Sequence, residues 1–332
     1  MEERVYKRKF TEEELEKSII NLLEEQGYDY VNGENIDRDY KDIILEDDLC
    51  KFINSKYSNE DITDRELKII INKIKLISPI PLYEGNKEAF LLINEGFSLE
   101  REDKTKIPLH VSYIDFDNPD NNIFKVVNQF TVHDKEHRRP DLLIFINGIP
   151  ACIFEFKTAI EEDTTIYDAW EQIYKRYKRG IPSLLKYNFL SIISDGANTR
   201  LGSIFTPYKF YYAWNKINDH ERASDGISSL ITMIRGAFAK DRLLAILRDF
   251  IFYPDDSKKE EVIVCRYPQF FAANKMFNNI AKEIKPSGSG KGGTYFGATG
   301  SGENSIIVTD TIIKLNQGLK ASTKFLNKMI LI

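Results

Sequence analysis

Apolar residues along this chain recur at helical spacing in several separated stretches and run unbroken in a few shorter ones, the pattern of helices laid on buried strands. The first periodic stretch opens at Thr11, where Thr11 and Glu14 spell a capping box. Leu15, Ile19, Leu22 and Leu23 form its apolar stripe and Gly27 ends it. After acidic text that reads as loop, Leu67, Ile70, Ile71, Ile74 and Ile77 mark a second helix. It stops at Ser78-Pro79-Ile80-Pro81, because a residue before proline is driven out of the helical region. Residues 88–114 read as a short helix followed by extended segments. Ile123 to Val132, rich in β-branched and aromatic residues, reads as a strand. Further on, Thr164 to Lys178 is helical through Ile166, Trp170, Ile173 and Tyr177. Phe189 to Ser194 is a buried strand, Asp195-Gly196 a turn, and Phe210 to Trp214 an aromatic strand or hairpin arm. Ile227 to Ala239 and Asp241 to Phe252 are two more helices.

The centre of the pattern is the stretch from Arg138 to Lys157. Asp141 to Ile146 is a continuous apolar run behind one acid, as in a strand covered on both faces. Asn147-Gly148 is a strong hairpin signal, since both residues tolerate positive φ, and Ala151 to Lys157 is the return strand. The Ile123–Val132 strand is expected beside the Asp141 strand. Together these elements predict an α/β core with a mixed sheet flanked by helices.

Side chains alternate across a strand, so Glu155 and Lys157 share one face while Cys152, Phe154 and Phe156 share the other. Two charges on an apolar strand are costly unless they pair or hold a metal. Asp141, opening the partner strand, can bring a second carboxylate to the same spot. Two carboxylates suit Mg²⁺, and a neighbouring lysine could orient or deprotonate a water or hold a phosphate, which together make a plan for metal-assisted phosphodiester hydrolysis. The competing reading is a structural Glu–Lys pair on an edge strand with Asp141 as a surface cap.

Pro140-Asp141 followed by Glu155-Phe156-Lys157 resembles the PD-(D/E)XK nuclease motif. The fuller string RRPDLLIFINGIPACIFEFK resembles the nuclease region of the restriction (R) subunit of type I restriction enzymes. AWEQIYKRYKRGIPSLLKYN and SIISDGANTRLGS resemble the segments that follow it, and CRYPQFFAANK and GGTYFGATGSG resemble the entry to that subunit's ATP-driven motor. The resemblance runs from about Thr11 to Gly302 and implies a restriction-endonuclease-like sheet followed by a truncated start of a RecA-like, P-loop domain. It implies that Asp141 and Glu155 ligate Mg²⁺ and that Lys157 positions the water. It also implies that Gln172 and Tyr177, on the helix after the motif, approach the site. Related recombination-type nucleases space that Gln and Tyr four apart. Here they are five apart and do not share one helical face as cleanly, so Gln172 is the better candidate and Tyr177 reads as core. Such nucleases also bring a carboxylate from an early helix near the metal, which points to Glu16, although Glu16 on geometry alone reads as a solvated helix-face acid. Double-stranded DNA and the modification and specificity subunits are the implied partners.

Composition narrows the partners. The 332 residues suffice for two domains, and a net charge of −5 with pI ≈ 5.6 gives no global basic field. DNA contact must therefore come from local clusters, of which Lys175, Arg176, Lys178 and Arg179 form the densest. Compensation of a helix C-terminal dipole is the alternative for them. Cys50, Cys152 and Cys265 lack metal-ligand spacing, and so few unpaired cysteines suggest a reducing cytoplasm. His133 and His137 flank a turn at Asp134-Lys135-Glu136 rather than sharing a helix face, which argues against a metal between them. No apolar run reaches membrane length.

The expected organisation is an endonuclease domain over 1–235 with its core at about 120–215, a helical linker over 236–260 and the truncated beginning of a motor over 261–332. Pro254 to Glu260 is the hinge candidate, and Asp219 to Gly226 a polar loop. In the resembled motor, a glutamine at the Gln269 position reads adenine, and a loop matching Gly297, Thr299, Gly300 and Gly302 holds ATP phosphates. Here that loop continues with Glu303-Asn304 where the pattern requires Lys then Ser or Thr. Glu303 sets a negative charge beside polyphosphate, so ATP is expected to bind weakly and not to be hydrolysed. One inserted base ahead of Lys-Thr codons would write Glu-Asn, so a frameshift is the expected origin of the tail. Residues 305–332 are then expected to lack a selected packing pattern.

Overall fold

The unbroken apolar runs become the middle of a six-stranded mixed sheet in the computed structural model, which describes residues 11–157, 165–218, 228–254, 260–283 and 287–289. The strands β1 (Asp29–Asn32), β2 (Phe124–Asn128), β3 (Leu142–Ile146), β4 (Ile149–Phe156), β5 (Leu190–Ser194) and β6 (Thr199–Gly202) lie side by side in chain order. β1 is parallel to β2, β2–β3–β4 is an antiparallel meander, β5 runs parallel to β4, and β6 turns back on β5. Every residue of β3, β4 and β5 is buried, as their lack of polar alternation requires.

The hairpin turn is the one the sequence predicts, with Asn147 at φ 51 and Gly148 at φ 79. Asn147 is also buried and structural. Its Nδ2 donates to the Tyr113 carbonyl (2.9 Å) and to Asn122 Oδ1 (2.8 Å), while its Oδ1 accepts from the Ile123 amide (2.8 Å). Gly148 is required twice over. Besides its positive φ, a Cβ there would lie 2.2 Å from the Leu45 carbonyl oxygen.

Helices cover the sheet. In α1 (Glu12–Glu24) the Thr11–Glu14 capping box is formed and Leu15, Ile19, Ile20 and Leu23 are buried. Next come α2 (Glu46–Lys56), α3 (Asp64–Lys75) with its own Thr63–Glu66 capping box, and α4 (Leu82–Glu95). α5 (Ile166–Glu171) packs on β4 and β5, and α6 (Pro182–Leu185) follows it. α7 (Ser228–Ala237), α8 (Lys240–Asp249) and α9 (Tyr267–Glu283) complete the set. The α7–α8 stretch belongs to the same core as the sheet. Met233, Ile234, Phe238, Leu243 and Phe250 are buried in it, the Phe238 ring lies 5.3 Å from that of Phe154, and the Tyr28 hydroxyl donates to the Phe238 carbonyl at 2.8 Å.

Several elements depart from the sequence pattern. The strand expected over 123–132 breaks after Asn128, where Gln129 takes φ 53. Val132–His133 instead pairs with His137–Arg138 in a separate two-stranded ribbon. Asp134-Lys135-Glu136 is its turn, and the two imidazoles stack face to face with centroids 3.7 Å apart. Phe210 to Trp214 is not a strand. Tyr208–Phe210 forms a 3₁₀ turn and only Tyr212 bridges to Leu201, because Trp214 turns inward against Phe270. The helix expected to reach Phe252 ends at Asp249, since Ile251–Phe252 pairs with Ile263–Val264. Residues 219–227, the hinge segment 255–259 and the glycine-rich loop with Glu303 and Asn304 lie outside the described residues.

Candidate active site

The site forms at the open end of the β3–β4 hairpin, away from its turn. Leu142 pairs with Phe154, and continuing that antiparallel register by one residue sets Asp141 opposite Glu155. Asp141 is held there because its Oδ2 accepts the Phe156 amide at 2.6 Å. Glu155 is fully buried. Lys157, just past β4, is anchored by its backbone amide on the Ser194 carbonyl of β5 (3.0 Å). Its Nζ lies 3.2 Å from Glu155 Oε1, 2.8 Å from the Phe156 carbonyl and 3.8 Å from Glu12 Oε1 at the start of α1. Asp141, Glu155 and Lys157 therefore converge as the strand pattern predicts.

Burial sets the electrostatics. It pushes the Asp141 carboxyl up to about 6, with Glu12 and Glu16 adding to the rise, while the Phe156 amide and Lys157 oppose it. Burial, and then the facing Asp141 charge, hold Glu155 well above the usual carboxylate range against the pull of Lys157 and Tyr177. Two oxygen-donor groups that each resist ionising beside the other suit a hard divalent cation. Among the described residues no third His, Cys, Asp or Glu joins them.

The helix after the motif supplies what the spacing argument missed. An ordinary α-helix would turn residues five apart roughly 140° away from each other. Here α5 passes into a π-helical turn over Gln172–Tyr177, whose wider turn returns residues five apart to one face. Gln172 Nε2 then donates to the Tyr177 hydroxyl at 2.8 Å, and that hydroxyl donates to Glu155 Oε2 at 3.0 Å. Tyr177 is buried, as a core reading expects, and it also touches the site. The signal was available in the five-residue spacing itself, read as an insertion rather than as a mismatch. Glu16 is half-buried rather than solvated. It accepts from Asn128 Nδ2 at 2.6 Å, and its charge reaches Asp141.

The basic cluster divides. Lys175 is exposed and pairs with Glu171 (2.5 Å), while Arg179 pairs with Glu136 (3.3 Å). Arg176 is exposed and makes no ion pair among the described residues. Lys178 is drawn inward over the rings of Tyr174 (4.0 Å) and Phe205 (4.3 Å), and burial pushes its ammonium down to about 8. Gln269 is buried on α9 with its Oε1 accepting the Arg266 amide at 2.8 Å. Gly297, Thr299, Gly300 and Gly302 lie outside the described residues.

A mixed sheet with two acids and a lysine at the open end of its central hairpin is consistent with a nuclease-like domain. Residues 9–210 match the family described as the Type I restriction enzyme R protein N terminus, and the chain belongs to that family. It is 30% identical over 298 residues to a protein of Methanocaldococcus jannaschii provisionally named the type I restriction enzyme MjaIXP endonuclease subunit, covering 81% of this chain and 28% of that one. It is 23% identical over 311 residues to the type I restriction enzyme HindI endonuclease subunit of Haemophilus influenzae, covering 88% and 29%. The chain thus spans under a third of the length of these relatives. Among the described residues no helix is long and apolar enough to cross a membrane.

Proposed function

We propose that this chain carries the DNA-cleaving part of a type I restriction endonuclease subunit, hydrolysing phosphodiester bonds of double-stranded DNA with Mg²⁺ in a complex with modification and specificity subunits. The observation that carries the reading is the convergence of Asp141, Glu155 and Lys157 at the end of one buried hairpin, with Lys157 Nζ 3.2 Å from Glu155. Asp141 and Glu155 would hold the cation. When bound, it supplies charge to the scissile phosphoryl oxygen and lowers the pKa of a water. Lys157 orients that water or holds a phosphate oxygen. Tyr177 fixes one oxygen of Glu155, and Gln172 fixes Tyr177, which leaves the Gln172 carbonyl to hold a water in place.

The test is metal-dependent nicking of supercoiled DNA by the purified chain, with metal binding followed by calorimetry. Asp141→Ala is expected to abolish both. Lys157→Ala is expected to remove nicking while metal affinity and fold stay largely intact. Retained cutting with a lowered melting temperature in Lys157→Ala would return the pair to a structural role. Metal binding with no nicking by the wild-type chain would favour the alternative, a portion that binds DNA or partner subunits without cutting. For the nucleotide loop we propose, on the charge of Glu303 alone, that ATP binds weakly; micromolar affinity in equilibrium dialysis would refute this.

A further inference from the structure

Near Lys157 the protein carries aromatic rings that its core takes up only in part: Tyr208 packs against the core, and Tyr167 lies 5.2 Å from the buried Trp170 ring. Tyr167, in the first turn of α5, is 41% exposed, and Phe210, in the turn after β6, is 43% exposed. Between them Tyr208 stands edge-on to Tyr167, with centroids 5.0 Å apart. Two cations rest on this ridge. The Arg200 guanidinium lies 5.3 Å from the Tyr208 ring and the Lys209 ammonium 4.7 Å from the Phe210 ring, and neither forms an ion pair among the described residues. The nearby carboxylates are already engaged, Asp168 in capping Thr165 and Glu171 in its pair with Lys175.

The ridge lies two strands over from the site, since Glu155 pairs with Ile193 of β5 and Ile193 with Arg200 of β6. The Lys157 amide bonds to Ser194, Ser194 pairs with Thr199, and Arg200 is the next residue of β6. From the other side, Asp168 adjoins Tyr167 and feels the Lys157 charge. Exposed π faces bearing unpaired cations match the flat bases and charged backbone of nucleic acid, and a base offers its face only when it is unstacked. We propose that Tyr167, Tyr208 and Phe210, with Arg200 and Lys209, form a platform for an unpaired stretch of DNA strand beside the scissile bond. The inference takes DNA as its occupant from the nuclease reading, but it asks nothing of the metal.

The test uses the full chain in an Asp141→Ala background with chelator present, so that binding is read without cutting. The probe is a fluorescein-labelled oligo(dT) of about 16 nucleotides, the upper end of a single platform's site size, followed by anisotropy at low salt. Tyr167→Leu and Phe210→Ala are each expected to weaken binding by about tenfold, the scale of one lost base stack, while Tyr167→Phe leaves it unchanged. Lys209→Glu, a surface change, is expected to weaken binding as well. A blunt duplex of the same length should respond less than the single strand to the ring substitutions. Absence of oligo(dT) binding, or equal binding by Tyr167→Leu and wild type, overturns the proposal. So does an equal loss on duplex, which would mark a general backbone surface. Failure of the nicking assay with these losses intact would count against the nuclease reading and leave the platform standing.

Discussion

Ionising Asp141 opposes folding. Its carboxyl titrates at about 6 in the folded protein against an ordinary 3.8, so between those values the native state keeps a proton that the unfolded chain has released. Stability is therefore greatest below the unfolded value and falls as pH rises through about 6, by ~3 kcal/mol once the group is charged. Glu155, shifted in the same direction, adds to that slope. Urea midpoints between pH 4.5 and 7.5 should fall for the metal-free wild type and fall less steeply in Asp141→Asn, where only Glu155 still carries the slope. Saturating Mg²⁺ at the upper pH should recover the wild type and leave the variant unmoved. A flat wild-type profile would contradict the burial argument. Tyr177→Phe tests the adjoining bond. It leaves a buried carboxylate oxygen without its donor, at a cost of about 1–3 kcal/mol to the ionised form. Mn²⁺ affinity at neutral pH should drop by about tenfold or more on that scale, and an unchanged isotherm would make Tyr177 mere packing. At this scale the acids and the lysine were legible because a charge on an apolar strand stands out. Tyr177 was legible only through its five-residue spacing from Gln172, because a tyrosine at helical spacing otherwise looks the same whether its hydroxyl is used or idle.

The elements that the sequence pattern conveyed are those with strong local chemistry. Asn147-Gly148 dictates its turn, and Thr11 with Glu14 dictates its helix start. α2 escaped notice because its N-cap is Leu45, which has no capping oxygen, and its first turn is Glu46-Asp47-Asp48, which reads as an acidic loop. β1 escaped because Asp29–Asn32 is short, half polar and unburied, and becomes a strand only by pairing with β2. Phe210 to Trp214 misled for the opposite reason, since its aromatic residues suit a strand but are spent on the core and the surface ridge. The π turn is a further case, because i→i+5 bonding has no propensity signal of its own. It behaves as a helix with one residue too many, and that can be checked by subtraction. Removing Lys175, which is exposed and among the described residues pairs only with Glu171, should leave Gln172 and the tyrosine four apart in a plain α-helix, with metal binding kept. Thermal melting would decide. A loss above ~1 kcal/mol, roughly 1–2 °C at this size, would mean that the extra residue is needed rather than tolerated.

For the molecule as a whole, the sheet follows the chain, each strand lying beside the strand before it. The two ends of its central hairpin are chemically unlike. One holds the Asn147-Gly148 turn, with Asn147 bonded to Tyr113, Asn122 and Ile123; the other holds Asp141, Glu155 and Lys157. That polarity sets a direction in time. A hairpin closes most cheaply next to its turn, where the loop to be ordered is shortest, and the costly charged end joins last. Asn147→Gly, which keeps the left-handed turn and loses the side-chain bonds, should slow refolding and leave unfolding nearly unchanged. Glu155→Gln should do the reverse, changing the unfolding rate alone. Stopped-flow chevrons would read both, and a slowed folding limb in Glu155→Gln would contradict this order. If the order holds, the rate-limiting step of folding never meets the carboxylates, and substitutions there can vary the chemistry without slowing the chain on its way to the native state.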